Sequence, residues 1–167
     1  ISSRLDDFDV IINLPKMKTH VLCGLTLGIK NLYGCISGKQ KGKYHLRFQD
    51  AAAFSDLLLD LYHLVSPSLT ILDGITAMEG QGPGSGEPVD LGLVMASPSA
   101  LALDTVASQI AGFRPKEFPL IDLAQKRGLT DAFFENLTIV GEDLSSINSS
   151  PFKRARKNRS LLWFVPF

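Results

Sequence analysis

Cysteine and long apolar runs are both scarce in this chain, and each scarcity closes off a class of protein. The two cysteines, Cys23 and Cys35, supply neither a disulfide framework nor the four thiolates of a zinc or iron–sulfur centre, so both read as reduced, mostly buried thiols. No apolar run approaches the roughly 18 residues of a membrane span, and the N-terminus lacks the charged-then-apolar pattern of a signal peptide, which points to a cytoplasmic protein. Net charge is also missing, since 17 Lys and Arg balance 17 Asp and Glu. Neither G-x-G-x-x-G opening a helix nor G-x-x-x-x-G-K-[ST] occurs, so no nucleotide fingerprint is present.

The neutrality conceals a polarity. Residues 1–47 carry a net charge of +5, residues 48–152 carry −10, and the run KRARKNR at 153–159 returns +5. Nucleic-acid binding through that run is the weaker reading, because no aromatic stacking platform accompanies it; a solvated linker is the plainer one. The last seven residues, LLWFVPF, are too apolar to remain in water and should dock on this domain, a neighbouring one or a second subunit. The remaining composition, 45% hydrophobic and 20% charged over 167 residues, suits one globular domain burying about two thirds of its unfolded surface. The opening residue is Ile1 and the chain leads quickly into a strand, so it reads as a piece of a longer protein.

The periodicity predicts an α/β domain over 1–143 with a mainly parallel sheet flanked by helices, followed by a basic and then apolar tail over 144–167. Buried strands are expected at DVIINL (9–14, ended by Pro15), LTILD (69–73), LGLVMAS (91–97) and LTIVG (137–141). Helices are expected over about 48–65, over 100–112 with Ser99 as N-cap and Gly112 at the C-terminus, and over 118–128. Residues 20–36 should form a short, distorted helix or a loop and helix, because each interior glycine costs a helix about 1 kcal/mol relative to alanine. SGKQKGKYH (37–45) reads as a mobile basic loop, and 74–90 as a long glycine-rich loop.

Three places could carry chemistry. NLPKMKTH (13–20) lies at the carboxyl end of a strand, the edge where open α/β sheets bind ligands. Its Lys16, Lys18, Thr19 and His20 suit a carboxylate or phosphate, the alternative being an ordinary surface turn. The glycine-rich stretch offers Gly80, Gly82 and Gly84, whose backbone could approach a ligand closely, with Asp73 and Glu79 as carboxylates that orient a base or hold a divalent ion. The third is Asp104, an acid inside an otherwise apolar helix, which needs a partner if buried; a first-turn lysine or a backbone amide would serve.

The strings INLPKMKTH, GLTLGIKNLYG and DGITAMEGQGPGSGEPVDLGLVMAS, in that order and followed by ALDTVA, resemble the domain of unknown function 362 family over about residues 8–143. The resemblance implies a prokaryotic α/β domain often joined to ferredoxin-like modules holding iron–sulfur clusters. Such a cluster would sit in a neighbouring module, since this chain has no C-x-x-C run. A second resemblance is local: His20, Gly24, Thr26, Gly28 and Lys30, with His45 further on, are similar to a segment of nickel-pincer lactate racemases. It implies His20 as a general acid/base, Lys30 as the attachment point of a nickel-pincer nucleotide or as an anion contact, and His45 as a metal ligand. The racemases continue with a proline-glycine pair where this chain has NLYGCISG.

Together these readings point to a small anionic ligand bound between a Lys/His cluster and the glycine-rich stretch. Lys16, Lys18, Lys30 and Asn31 would orient it and His20 would handle protons, in a site open to redox chemistry. The competing expectation is a non-catalytic docking or electron-transfer partner for an iron–sulfur module outside this chain.

Overall fold

A computed structural model of the chain describes residues 1–147 and 150–156. Ten regular elements follow one another: β1 (Ile12–Asn13), β2 (Lys16–His20), β3 (Gly24–Thr26), α1 (Gly28–Asn31), α2 (Gly38–Arg47), α3 (Ala51–Val65), β4 (Leu69–Gln81), β5 (Ser85–Ser97), α4 (Ala100–Ile110) and α5 (Pro119–Lys126), with short 3-10 turns between them. The α/β class expected from the periodicity holds, in a mixed five-stranded sheet. Strand β4 is its spine. It runs parallel to β1 at Leu69 and Thr70 and parallel to β2 from Asp73 to Met78, while β5 pairs antiparallel along its other edge. Strand β3 closes the far side of β2 antiparallel.

Alternation along the strands separates two faces. Met17, Thr19, Leu25, Thr70, Leu72 and Ala77 point into the core with Ile29 of α1, Phe54 and Leu58 of α3, and Ala100, Leu103 and Ala107 of α4. The opposite face carries Ile12, Lys16, Lys18, Asp73 and Val94 and remains largely open among the described residues, with Ile12, Ile75 and Val94 each more than half exposed. The helices therefore flank one face rather than both.

The helix starts follow their caps. The Asp50 carboxylate accepts from Ala52 N (2.9 Å) and Ala53 N (3.0 Å) ahead of α3, and Ser99 Oγ accepts from Ala102 N (3.1 Å) ahead of α4, as expected. Gly112 and Gly128 adopt positive φ just beyond α4 and α5.

Four expectations are corrected. The strand expected to end at Pro15 resumes beyond it as β2, because Pro15 interrupts the ladder without ending it: its carbonyl still accepts from Asp73 N (2.9 Å). The expected basic loop at 37–45 is helix α2, anchored where Tyr33 Oη donates to the Lys41 carbonyl (2.9 Å) and where His45 lies against Tyr33 and Phe54. The expected glycine-rich loop is the outer half of a long β4–β5 hairpin in register from Thr70–Ser97 to Gln81–Ser85, with one irregularity at Gly74/Thr76. Its glycines hid the alternating residues between them. The expected strand at 137–141 forms no ladder among the described residues, and Val140 is 87% exposed.

The basic run is not a free linker where it is described. Residues 150–156 form a strap between the hairpin end and the C-terminus of α4. Gly80 N donates to Lys153 O (2.8 Å), Arg156 N to Gln81 Oε1 (2.8 Å) and Phe152 N to Ala111 O (3.0 Å), and Phe152 is buried. Lys153 meets Glu79 (3.1 Å) and Glu87, and the Arg154 guanidinium lies 3.3 Å from the Phe113 ring centroid while reaching Glu117. The terminal LLWFVPF, with its expected docking, lies outside the described residues.

The hairpin end is clasped from the other side by β2, where Thr19 Oγ1 donates to Gly80 O (2.9 Å) and Gly82 sits directly on the Thr19 carbonyl. A Cβ at position 82 would overlap that oxygen, so Gly82→Ala should lower the urea midpoint, costing about 1–3 kcal/mol. An unchanged midpoint would show that the hairpin end contributes nothing to stability.

Candidate functional site

The site forms where β2 ends and α1 begins. Gly28 to Asn31 is a single helical turn, too short to be stable by itself, and two buried polar side chains, Asp104 and Asn13, hold it, with exposed Asn31 reaching back to Asn13. The Asp104 carboxylate, 1% exposed on α4, accepts from Gly28 N (2.6 Å) and Ile29 N (3.0 Å). Asn13 Nδ2 donates to Gly28 O (2.9 Å) and Thr70 Oγ1 (3.3 Å), and Asn31 Nδ2 donates to Asn13 Oδ1 (2.8 Å). A Cβ at Gly28 would lie 2.9 Å from Asp104 Oδ1 and 3.1 Å from Thr70 Cγ2, so only glycine admits this approach. Burial pushes the Asp104 carboxyl up to about 7, with the two amides pulling the other way.

Lys30 projects from this clamped turn. Its Nζ lies 4.9 Å from the Tyr33 ring centroid and 5.9 Å from that of Phe54, and no carboxylate pairs with it among the described residues. Loss of hydration pulls its pKa below the ordinary lysine value. Around it stand neutral groups, with the Lys41 charge adding to the downward pull. His45, on α2, stacks on Phe54 (centroids 5.2 Å apart) and meets Tyr33 edge-on, its pKa lowered by burial and by Lys30. Burial drives the Cys23 thiol up to about 12 against the pull of Lys30. Burial, followed by the charges of Lys30 and His45, lowers His20 to about 4. The His20 Nδ1 accepts from Leu22 N (3.1 Å) and Cys23 N (3.2 Å). Its proton therefore resides on Nε2, and near neutral pH the imidazole is a hydrogen-bond donor without a free basic nitrogen. Beside it opens a hollow of about 400 Å3 lined also by Gly24, Phe113, Glu117 and Arg154.

The structure brings His20, Lys30 and His45 together and engages the other candidates elsewhere. Lys16 Nζ lies 2.8 Å from Asp73 Oδ2, an exposed pair on the open sheet face, and Asp73 Oδ1 accepts from Ile75 N. Lys18 shares that face and has no ion pair among the described residues. Thr19 and Asn31 are structural donors. Glu79 is held below the usual carboxylate range by the Lys153 backbone amide and ammonium. The amides of Gly80 and Gly82 donate to Lys153 O and Gly80 O, not outward as a ligand cradle requires, whereas Gly84 has no neighbour within 4 Å of a Cβ position. No three His, Cys, Asp or Glu side chains converge as metal ligands among the described residues, so neither His45 nor the Asp73/Glu79 pair is part of such a set.

Several participants were missed. Tyr33 and Phe54 form the wall under Lys30; the spacing of three from Lys30 to Tyr33 could have revealed the first. Asn13 carried no signal inside its apolar run, and nothing in the basic run singled out Arg154. Asp104 was singled out, but its amide partners lie more than seventy residues away.

The strings that place Lys30 on a glycine-started turn and Asp104 beneath it also decide the ancestry. A model of the domain of unknown function DUF362 matches residues 1–109. The chain belongs to the DUF362 family. It is 42% identical over 130 residues to a thylakoid-associated protein of Synechocystis, a match covering 77% of this chain and 40% of that relative. The chain thus spans well under half the length of the relative. No solved structure matches it. No described helix is long and apolar enough to cross a membrane.

Because the folded His20 titrates below its unfolded value, the stability this neutral imidazole supports is present above about pH 6.5 and is lost as pH falls toward 4, on the order of 3 kcal/mol. His45 acts in the same direction and Asp104 in the opposite one, so the informative quantity is a difference between variants. His20→Asn keeps an acceptor for the two amides, and wild type should lose urea stability relative to it across that interval. Parallel curves would rule out a buried neutral imidazole at position 20.

Proposed function

We propose that this domain binds a small anion, a carboxylate or phosphate, at Lys30, with the Nε2–H of His20 as a second donor. The observation that carries this reading is an ammonium largely removed from water, fixed on a clamped turn, with two aromatic rings, neutral groups and the further cation of Lys41 around it and no carboxylate beside it among the described residues. Such a charge is costly until a counter-ion arrives, and an arriving anion gains a charge-assisted hydrogen bond in a low-dielectric setting. The anion also restores the pKa that desolvation lowers. Lys18, which has no ion pair among the described residues and lies on the neighbouring sheet face, adds attraction at longer range. The site as built orients and polarises its ligand, and proton transfer through His20 would require the Nδ1 contacts to break first.

A second reading is favoured by a different observation, the exposed apolar side chains of the open sheet face and its approach, Phe8, Val10, Ile12, Leu14, Ile75 and Val94. In it the domain seats an iron–sulfur electron-transfer module on that face, consistent with the chain spanning 40% of its relative. The relative's association with thylakoids is compatible with either reading.

Titration of the full chain with inorganic phosphate and with malonate at pH 7.5, followed by calorimetry, tests the first reading. Saturable binding of at least one of them is expected, weakened about 10–100-fold in Lys30→Met, as the loss of a charge-assisted contact implies, and a few-fold in His20→Asn. Equal affinity in wild type and Lys30→Met would refute it.

A further inference from the structure

We propose that Asp104 is the positioning residue of the Lys30 site, and that gain of a proton by its carboxylate releases the turn and weakens anion binding. The inference rests on the anion-binding reading of Lys30 and adds its regulation. The geometry is specific. Asp104 accepts from the first two amides of the Gly28–Asn31 turn with one oxygen each, Oδ1 from Gly28 N (2.6 Å) and Oδ2 from Ile29 N (3.0 Å), and neither oxygen has another partner among the described residues. Lys30 is the next residue along. When ionised, the carboxylate accepts both bonds; as the neutral acid it keeps one good acceptor, and its hydroxyl faces an amide that also donates. One amide at the start of the turn is then unpaired in a dry interior, which costs enough to shift the turn.

Among the described residues no other charged side chain reaches Asp104 to compete for this role. Of the elements packed on α4, α1 offers Lys30, which lies over Tyr33 and Phe54. The β4–β5 hairpin offers Asp73, Glu79, Glu87 and Asp90, engaged with Lys16, Lys153 and Thr76. Helix α5 offers Asp122 and Lys126, paired with each other, and the turns at 130–136 offer Asp131 and Glu135. The opposing pulls of burial and of the two amides put the titration near neutrality, where a modest change in pH alters the population of the two forms.

Sulfate is the suitable probe, because it does not itself titrate between pH 6 and 8.5. Positioning predicts that wild-type affinity falls about 3–10-fold from pH 8.5 to pH 6, and that Asp104→Asn binds weakly and equally at both values. Simple electrostatics predicts the reverse on both counts: removing a negative charge, or adding protons, should strengthen anion binding. The amide resonances of Gly28 and Ile29 should titrate together in wild type and in Lys30→Met, and not in Asp104→Asn. Should Asp104→Asn fail to fold, Gly28→Ala displaces the same carboxylate by placing a Cβ 2.9 Å from Oδ1, and the same loss of sulfate affinity is expected. Sulfate binding that depends on Lys30 but is indifferent to Asp104→Asn, Gly28→Ala and pH overturns the inference and leaves the anion site standing. Sulfate binding indifferent to Lys30→Met overturns both.

Discussion

The grip of one buried carboxylate on two backbone amides is the constraint on which the rest of this domain turns. Asp104 sits at 1% exposure in a helix otherwise made of alanine, leucine and small residues, where an unpaired acid would be costly. It is tolerated because the turn above it presents two amides that α-helical geometry leaves without partners. The dependence is mutual. The turn is too short to stand alone, and the acid has no other partner in reach. Gly28 lets the two approach, Asn13 ties the same turn to the start of β4 through Thr70, and Asn31 completes the network. Helix, sheet and site share one set of hydrogen bonds, so the position of Lys30 is inherited from the core.

Around that network the electrostatics divide into two regimes. On the surface, ion pairs such as Lys16–Asp73, Lys126–Asp122 and the Arg127 contacts to Asp56 and Asp60 are exposed and individually add little. Inside, Lys30, His20, His45 and Cys23 influence one another through poorly hydrated space, and each is shifted toward its neutral form by burial. Of these four, the lysine is the one that projects from the clamped turn.

How much of this was legible in the sequence depended on the range of the forces involved. Helices α3, α4 and α5 announced themselves through their spacing of Phe54, Leu57, Leu58 and Leu61, through Ser99, and through the glycines after their last turns, all local signals. The outer part of the β4–β5 hairpin, 74–90, was read as a loop because Gly74, Gly80, Gly82, Gly84 and Gly86 broke the alternation, although Gly82 must be small against the Thr19 carbonyl and Gly86 against the Glu79 carbonyl. Helix α2 was read as a loop because its stability comes from Tyr33 and Phe54, outside the helix itself. His20 was found from its place at the carboxyl end of a strand, and Lys30 through the local resemblance to the racemase segment. The engagement of Glu79 by Lys153 and of Asp104 by Gly28 was not, since both join residues more than seventy positions apart. The alternating blocks of net charge along the chain were visible from the start. Their meaning was not: cations of the last block neutralise carboxylates at the hairpin end.

That arrangement has a bearing on how the molecule is made. Phe152, Lys153 and Arg154 bolt the hairpin end to the end of α4, so during translation the emerging polypeptide holds most of its sheet and helices yet leaves Glu79 and Glu87 without their cation and the Phe152 slot open. The hairpin is therefore locked down only once residues 152–154, made after every strand and helix described above, have left the ribosome.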